Sequence, residues 1–296
     1  MNIHRRTNAE IYVINLDEDS ERLAFMTEQL AELGLMFNRV KAIRGLDMPD
    51  WLQPYFLTSD GQIASTMQAG EVGCYASHLI ALKRVAEGNR PALILEDDVE
   101  IAPDFPAILD AIGTLPEDWD TLRFTNASKR LTPIVSLISD RYALIKFSRV
   151  PNSAGAYLIT PRGAAKFLAW KTLRTLPVDH DLARGWDCKL TTYGIYPRPI
   201  THPANRSSID IIGRRKFKVR KASKHLPLTD NVRRAAFEFA WLGPIDYARS
   251  FIRSPRYVKR RMQAQSVALA QLRLGRPSAS MHPDMHDPAL PNHPAI

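Results

Sequence analysis

The strongest constraint on the fold is residues 91–99, which read Pro-Ala-Leu-Ile-Leu-Glu-Asp-Asp-Val. The apolar run after the proline predicts a short strand buried on both faces, and three carboxylates follow where that strand ends. In an open α/β sheet, ligands bind beyond the carboxyl ends of the strands. An acidic cluster there suits a hard divalent cation and, through it, phosphate oxygens. The competing interpretation is a solvated acidic turn.

Composition favours a folded protein in a reducing compartment. The chain has 296 residues, 45% of them hydrophobic, which is enough for one large core or two modest ones. It contains no run of about 18 apolar residues and no signal-peptide core, so we expect a cytosolic protein. The two cysteines, Cys74 and Cys188, show no metal-type spacing, and we expect no disulfide.

The net charge of +9 is concentrated late in the chain. Residues 213–262 hold 15 of the 40 Lys and Arg residues but only 3 of the 31 Asp and Glu residues. The remainder is therefore mildly acidic. The carboxylate cluster and the basic segment thus lie in different parts of the chain, and we treat their binding partners separately.

The order of the predicted elements indicates an α/β protein. Residues 11–16 predict a first strand, Leu23, Met26, Leu30 and Leu33 predict a helix that ends at Gly34, and residues 37–43 predict a second, parallel strand. Residues 51–69 look irregular and form a candidate lid. The other predicted elements are helices at 69–88, 103–112 and 161–170, and strands at 121–125, 142–147, 153–160 and 195–200.

A second group of carboxylates, Asp179 and Asp181, precedes another predicted helix. Either residue suits a general base that accepts the proton of an acceptor hydroxyl. Helix capping is the equally weighted alternative. For His202 an exposed loop histidine is weighed against a metal ligand, and for His78 a buried structural role is weighed against a catalytic one.

Several of these motifs, in this order, resemble glycosyltransferase family 25, which contains bacterial lipooligosaccharide galactosyltransferases and collagen galactosyltransferases. The resemblance covers about residues 10–210. It is carried by Ile-Asn-Leu at 14–16 with Arg22, Ala-Ile-Arg-Gly at 42–45, Gly-Glu-Val-Gly-Cys-Tyr-Ala-Ser-His at 70–78, Ile-Leu-Glu-Asp-Asp-Val at 94–99, Gly-Ala-Tyr-Leu-Ile at 155–159 and Pro-Val-Asp at 177–179.

The resemblance implies a GT-A type, Rossmann-like nucleotide-sugar-binding domain. It also implies inverting transfer from a donor that is usually UDP-galactose, with a divalent cation, commonly Mn²⁺ with Mg²⁺ as the alternative. The roles that follow from it are a base at Asp181 in preference to Asp179, and a metal site at Asp98 and Glu96. His202 is the third candidate metal ligand, from its place just beyond the last predicted strand. Donor-binding positions are Asn15, Leu16, Arg22, Arg44, Glu96 and Asp97, and positions of unassigned role are Glu71, Ser77, His78, Gly155 and Tyr157.

The chain departs from the family pattern after its first strand. Acidic residues at 17, 18, 19 and 21 surround Arg22, the one arginine of a turn that is usually arginine-rich. An arginine there suits a diphosphate, but the surrounding acids weaken the expectation that the donor carries galactose.

These arguments predict three parts. They are a GT-A domain at residues 10–212, a basic and mainly helical extension at 213–276, and a disordered tail at 277–296. Aromatic and basic residues mixed within 213–262 favour an anionic membrane surface, weighed evenly against a helix packed on the catalytic body. Nucleic acid is not expected, because no nucleic-acid-binding fold accompanies the charge.

The predicted protein is a hexosyltransferase, most simply a β-galactosyltransferase. It would act on an envelope saccharide such as the lipopolysaccharide core, peripherally on the inner face of the cytoplasmic membrane. Two alternatives stay open: the same scaffold with UDP-glucose or another donor, and a non-catalytic basic adaptor that binds acidic glycolipid or nucleic acid.

Overall fold

A computed structural model describes residues 7–125, 133–170, 173–202 and 228–251. Its strands are β1 (Glu10–Asn15), β2 (Asn38–Lys41), β3 (Ala92–Glu96), β4 (Glu100–Ile101), β5 (Thr121–Arg123), β6 (Ile134–Leu137), β7 (Ala143–Lys146), β8 (Ala156–Ile159), β9 (Thr192–Tyr196) and β10 (Ile200–Thr201). Its α-helices are α1 (Ser20–Glu32), α2 (Ala69–Glu87), α3 (Pro106–Asp110), α4 (Pro161–Trp170), α5 (Val178–Leu182), α6 (Gly185–Cys188), α7 (Leu228–Leu242) and α8 (Pro244–Ser250).

Within these residues a central sheet of eight strands has the order β2-β1-β3-β8-β5-β9-β7-β6. Strands β2, β1 and β3 are parallel, as the predicted βαβ unit requires. Strands β8 and β7 run antiparallel to their neighbours, so the sheet is mixed, with most strands pointing one way. The predicted α/β class is confirmed.

The alternation of side chains along β1 explains why the sheet is covered on both faces. Ile11 and Val13 belong to one buried cluster with α1 and α3, whereas Tyr12 and Ile14 belong to the opposite cluster with α2 and α4. The four apolar residues of β3 are all buried and divide between the same two clusters. The prediction of a strand buried on both faces is therefore confirmed.

Three sequence-based expectations need adjustment. The strand expected at 195–200 is β9, which ends at Tyr196 because Pro197 has no N–H to continue the ladder. The strand β6 was missed because it is an exposed edge strand without an apolar alternation. The candidate lid is packed on the body through Leu52 and Phe56, which are fully buried, and includes a 3₁₀ helix at Asp50–Tyr55.

The part of the basic extension that the structure describes packs on the body. On α7, Trp241 contacts the ring of Tyr193 edge-on at 4.9 Å, and Lys146 Nζ lies 4.3 Å from the Trp241 ring centroid. Arg184 on the body also pairs with Asp230 of α7 at 2.9 Å. None of the described helices is long and apolar enough to cross a membrane. The rest of 213–276 and the predicted tail lie outside the described residues.

Candidate functional site

The candidate site lies where β1 and β3 end. These strands are parallel neighbours, with Ile14 opposite Glu96, so Asn15 and the carboxylates after β3 meet at one edge of the sheet. Asn15 Nδ2 donates to Asp97 Oδ2 at 2.7 Å, and Arg22 NH1 donates to Asp97 Oδ1 at 3.0 Å. Residues predicted separately as donor-binding are thus brought together.

Asp97 connects the elements of this edge. It is 8% exposed, and both of its carboxylate oxygens accept hydrogen bonds. Burial raises the pKa of Asp97, and the contacts with Asn15 and Arg22 oppose that effect. The hydrogen bonds of Asp97 therefore connect β3 to β1 and to the start of α1, whereas the neighbouring carboxylates of Glu96 and Asp98 are more exposed.

Glu96, Asp98 and His202 form a cluster of three side chains whose ligand atoms all lie within 4.8 Å of one another. Their side chains are 29%, 20% and 37% exposed, respectively. Asp98 Oδ1 is buried and receives no hydrogen bond in the described residues, although His202 Nδ1 lies 3.4 Å away. Asp98 raises the pKa of His202 by stabilising its protonated form. An unsatisfied carboxylate oxygen beside a second carboxylate and an imidazole fits a divalent cation such as Mn²⁺.

Gly155 makes room for this cluster. A Cβ built at Gly155 would lie 2.3 Å from two ring atoms of His202, so the imidazole occupies space that any other residue would fill. The carbonyl of Gly155 also accepts a hydrogen bond from Glu96 N at 2.8 Å. The family-motif glycine therefore has a steric role at the site.

Three other motif residues hold α2 in place. A Cβ at Gly73 would lie 2.5 Å from the Ile43 carbonyl oxygen, and Ser77 Oγ accepts a hydrogen bond from Ile43 N at 2.7 Å. Glu71 Oε2 accepts from Gln68 N at 2.8 Å at the start of the helix. These contacts give Ser77 and Glu71 positioning roles.

A buried chain of polar groups runs from β8 to the carboxylate cluster. His78 is fully buried, with Nδ1 at 3.0 Å from Tyr157 Oη and Nε2 at 3.3 Å from Glu96 Oε1. Burial raises the pKa of Tyr157 far above its usual range, so the phenol stays neutral. Tyr157 and His78 thereby orient Glu96.

Arg123, at the end of β5, is a site residue that the sequence reasoning missed. It is 3% exposed, its guanidinium lies 5.6 Å from the Tyr157 ring, and NH1 and NH2 have no hydrogen-bond partner in the described residues. Burial lowers its pKa to about 10, and the nearby charges of Asp179 and Glu96 oppose that shift. The available signal was an arginine between Leu122 and Phe124 in a predicted strand.

The structure separates the two base candidates. Asp181 is fully buried, and its Oδ2 accepts a hydrogen bond from Tyr75 Oη at 2.9 Å. Asp179 is partly exposed and lies near Arg123. The exposure therefore favours Asp179 over the expected Asp181, because a buried carboxylate is less accessible to an acceptor hydroxyl.

The remaining donor-binding candidates lie at the rim. Arg44 is largely exposed and pairs with Glu18, and Leu16 follows β1 with partial burial. The carboxylates after β1 pair with basic side chains: Asp17, for example, lies 2.7 Å from both Arg39 and Lys41.

A family model described as "Glycosyltransferase family 25 (LPS biosynthesis protein)" matches residues 8–182. The chain belongs to glycosyltransferase family 25. The match includes every candidate site residue named above except His202. Membership supports a glycosyltransferase, with a sugar donor and an acceptor.

Individual relatives of this family 25 chain come from animals and bacteria. A "Glycosyltransferase 25 family member" of Aedes aegypti is 32% identical over 58% of this chain and 30% of its own. "Procollagen galactosyltransferase 1-A" of Xenopus laevis is 26% identical over 60% of this chain and 31% of its own. A "Putative glycosyltransferase" of Haemophilus influenzae is 24% identical over 57% and 59%, respectively. The matches thus span about a third of the animal proteins, and some relatives are named inactive.

Among solved structures, the inositol-1-phosphate CTP transferase from T. maritima matches 68% of this chain and 74% of its own. The identity is 12% and the TM-score 0.30, which is too low to support an argument.

Proposed function

We propose that this chain is an active, cation-dependent hexosyltransferase that takes its sugar from a nucleotide-diphosphate donor. The observation that carries the proposal is the unsatisfied Asp98 oxygen beside Glu96 and His202, at the sheet edge where α/β proteins bind ligands. These three residues would hold the cation. When bound, Mn²⁺ or Mg²⁺ supplies positive charge that offsets the charge growing on the leaving diphosphate.

Two arginine side chains place positive charge near the carboxylate cluster, where a negatively charged donor would bind. Arg22 is held against Asp97 at 3.0 Å and lies 3.8 Å from Asp98, so it places a positive charge beside the carboxylates. Arg123 adds a second, fully buried positive charge near Glu96. The partly exposed guanidinium of Arg22 suits direct contact with an anionic donor, whereas the buried guanidinium of Arg123 would act through its charge alone.

Asp179 is our candidate for the general base. Its carboxylate is partly exposed and lies near the buried Arg123, so an acceptor hydroxyl can reach it. In an inverting transfer, this carboxylate would take the proton of the acceptor hydroxyl as that oxygen attacks the sugar. Asp181 would then serve the fold alone.

For the donor we propose UDP-galactose. Support comes from the Xenopus laevis relative, which is named a procollagen galactosyltransferase, and UDP-glucose on the same scaffold is the alternative. A panel of UDP-sugars, each incubated with the protein and Mn²⁺, distinguishes them by UDP release. Release from UDP-galactose is the expected result, whereas release from UDP-glucose alone would refute the galactose assignment, and release from none would contradict transferase activity.

For the acceptor we propose a bacterial envelope saccharide such as the lipopolysaccharide core. Support comes from the family description and from the bacterial relative. Transfer of labelled galactose to a core oligosaccharide, with a collagen peptide as the comparison acceptor, tests this choice. Labelling of the peptide alone would contradict it.

We also propose peripheral binding to an anionic membrane surface. The side chains of Val232, Phe239 and Ile245 on α7 and α8 are exposed, and the same two helices carry Arg233 and Arg249. Apolar side chains beside cations suit the boundary between headgroups and acyl chains.

A basic adaptor without catalytic activity is the rival function, and relatives named inactive keep it relevant. Deleting residues 213–262 is a poor test, because α7 packs on the body through Trp241. Replacing the Lys and Arg residues of 214–224 by Gln is the sharper test. The enzyme would still hydrolyse the donor after this replacement. The adaptor would lose its binding to acidic glycolipid or nucleic acid, which is its only function.

A further inference from the structure

We propose that Cys74, His78 and Glu96 form a second cation site, which selects a zinc-class ion over the Mn²⁺ or Mg²⁺ of the first. One ligand atom from each of these side chains lies within 4.8 Å of the other two. A thiolate, an imidazole nitrogen and a carboxylate oxygen are the three ligand types found in zinc sites, and a fourth position would stay open.

The helix supplies two of the three ligands. Cys74 and His78 are four residues apart on α2, so their side chains lie on the same face, one turn from each other. The helix cannot easily shift, because Gly73 lies against the Ile43 backbone and Ser77 accepts the Ile43 N–H at 2.7 Å. The spacing between the thiol and the imidazole is therefore fixed before any ion arrives.

The imidazole of His78 is already oriented for this role. Its Nδ1 lies 3.0 Å from Tyr157 Oη, and its Nε2 faces Glu96 at 3.3 Å. Zinc-bound histidines usually bond through their second nitrogen to a neighbouring oxygen, which fixes the ring and its tautomer. Here Nδ1–H would donate to the Tyr157 oxygen, and Nε2 would face the ion.

The two sites differ in chemistry but share Glu96. The first contains two carboxylates and His202, whereas the second contains the thiol of Cys74. Thiolate ligands favour Zn²⁺ strongly over Mn²⁺ and Mg²⁺. The consequence for activity rests on the proposed function. Because Glu96 belongs to both sites, a zinc ion bound at the second site would remove Glu96 from the first site and inhibit Mn²⁺-dependent turnover.

A titration of the purified full-length protein with Co²⁺ tests the site without any assay of activity. Co²⁺ replaces Zn²⁺ in such sites, and its bond to a thiolate gives a near-ultraviolet charge-transfer absorption. The chain has only two cysteines, so Cys74→Ser and the matched control Cys188→Ser assign the absorption completely. Cys188 is buried elsewhere, with its Sγ donating to the Arg184 carbonyl at 3.4 Å.

We expect the absorption in the native protein and in Cys188→Ser, its loss in Cys74→Ser, and its bleaching by one equivalent of Zn²⁺. Absence from the native protein, or persistence in Cys74→Ser, would overturn the proposal. Thermal melts verify that each variant is folded. If Cys74→Ser does not fold, His78→Gln provides the second test, with Co²⁺ affinity at least about tenfold weaker expected and unchanged affinity contradicting the site.

Inhibition by zinc tests the shared glutamate. Donor hydrolysis with Mn²⁺ is measured against added Zn²⁺, relative to the zinc-free rate of each variant. Cys74→Ser should require at least about tenfold more Zn²⁺ for half-inhibition than Cys188→Ser, and equal sensitivity would overturn the competition. If no donor is hydrolysed at all, the proposed function fails while the Co²⁺ result still decides the metal site.

Discussion

The imidazole of His202 lies in the space beside Gly155 where any other residue would place its Cβ, 2.3 Å from two ring atoms. Gly155→Ala should therefore push the ring away from Asp98. Because the ring can rotate, we expect the free energy of unfolding to fall by less than about 1 kcal/mol and Mn²⁺ affinity to fall by about tenfold or more.

Calorimetric Mn²⁺ titration and thermal melts measure these two effects. Gly113→Ala is the control, since its added Cβ would meet no atom within 4 Å. Unchanged Mn²⁺ affinity in Gly155→Ala would show that His202 is not a ligand.

Asp98→Asn removes the carboxylate that carries the metal assignment. We expect cation-dependent donor hydrolysis to fall by about a hundredfold or more, because a bound cation stabilises the negative charge on the leaving group by several kcal/mol in the transition state. The melting temperature should change little, since the ion pairs of Asp98 are long, 3.4 Å to His202 and 3.8 Å to Arg22. Asp47→Asn, at an exposed loop position, should behave like the native protein. Full activity in Asp98→Asn would refute the first site.

Substitution of the two aspartates of α5 should affect different properties, turnover at Asp179 and stability at Asp181. Asp179→Asn should lower turnover by about 10²- to 10⁴-fold with little loss of stability, as expected for a general base. Asp181→Ala should lower the free energy of unfolding by about 1–3 kcal/mol or more, because the buried Tyr75 hydroxyl loses its acceptor. Paired measurements of kcat and urea denaturation separate the effects. A folded, inactive Asp181→Asn beside an active Asp179→Asn would reverse the assignment.

Replacing Arg123 by an apolar residue should raise the stability of the protein and lower its activity. Its NH1 and NH2 groups are buried without partners among the described residues, so replacement by an apolar side chain of similar volume removes a desolvation penalty. We expect Arg123→Met to raise the free energy of unfolding by about 1–4 kcal/mol and to lower donor hydrolysis. Arg123→Lys, which keeps the charge, should retain more of that activity. Loss of stability with native activity in Arg123→Met would mean that Arg123 serves packing alone.

Binding to vesicles should depend on the exposed apolar side chains of α7 and α8. Phe239 and Ile245 are 49% and 63% exposed, and each would contribute about 1.5–3 kcal/mol if inserted fully into an apolar phase. The double variant Phe239→Ser, Ile245→Ser should bind anionic phosphatidylglycerol vesicles several-fold more weakly in co-sedimentation, and added salt should weaken native binding. Leu173→Ser, at an exposed leucine of the body, is the control. Equal binding by both variants would exclude Phe239 and Ile245 as the membrane contact.

The sequence by itself determined the α/β class and the location of the carboxylate cluster. Both follow from local patterns: four apolar residues in β3 are buried on both faces, and the acids come directly after them. The parallel β1–α1–β2 unit follows equally from the spacing of its apolar residues. Such features need no knowledge of distant contacts, because one strand or one helix face specifies them.

Only the tertiary structure decided which members of each group face the site. Asp97 bonds inward to Asn15 while Asp98 keeps an unsatisfied oxygen, and Asp181 is sealed in the core while Asp179 stays accessible. Neighbours in sequence can differ in this way because their partners come from elements far along the chain. The same reason hid Arg123 and the role of Gly155, since a buried charge or a missing Cβ acquires meaning only from the residues packed against it.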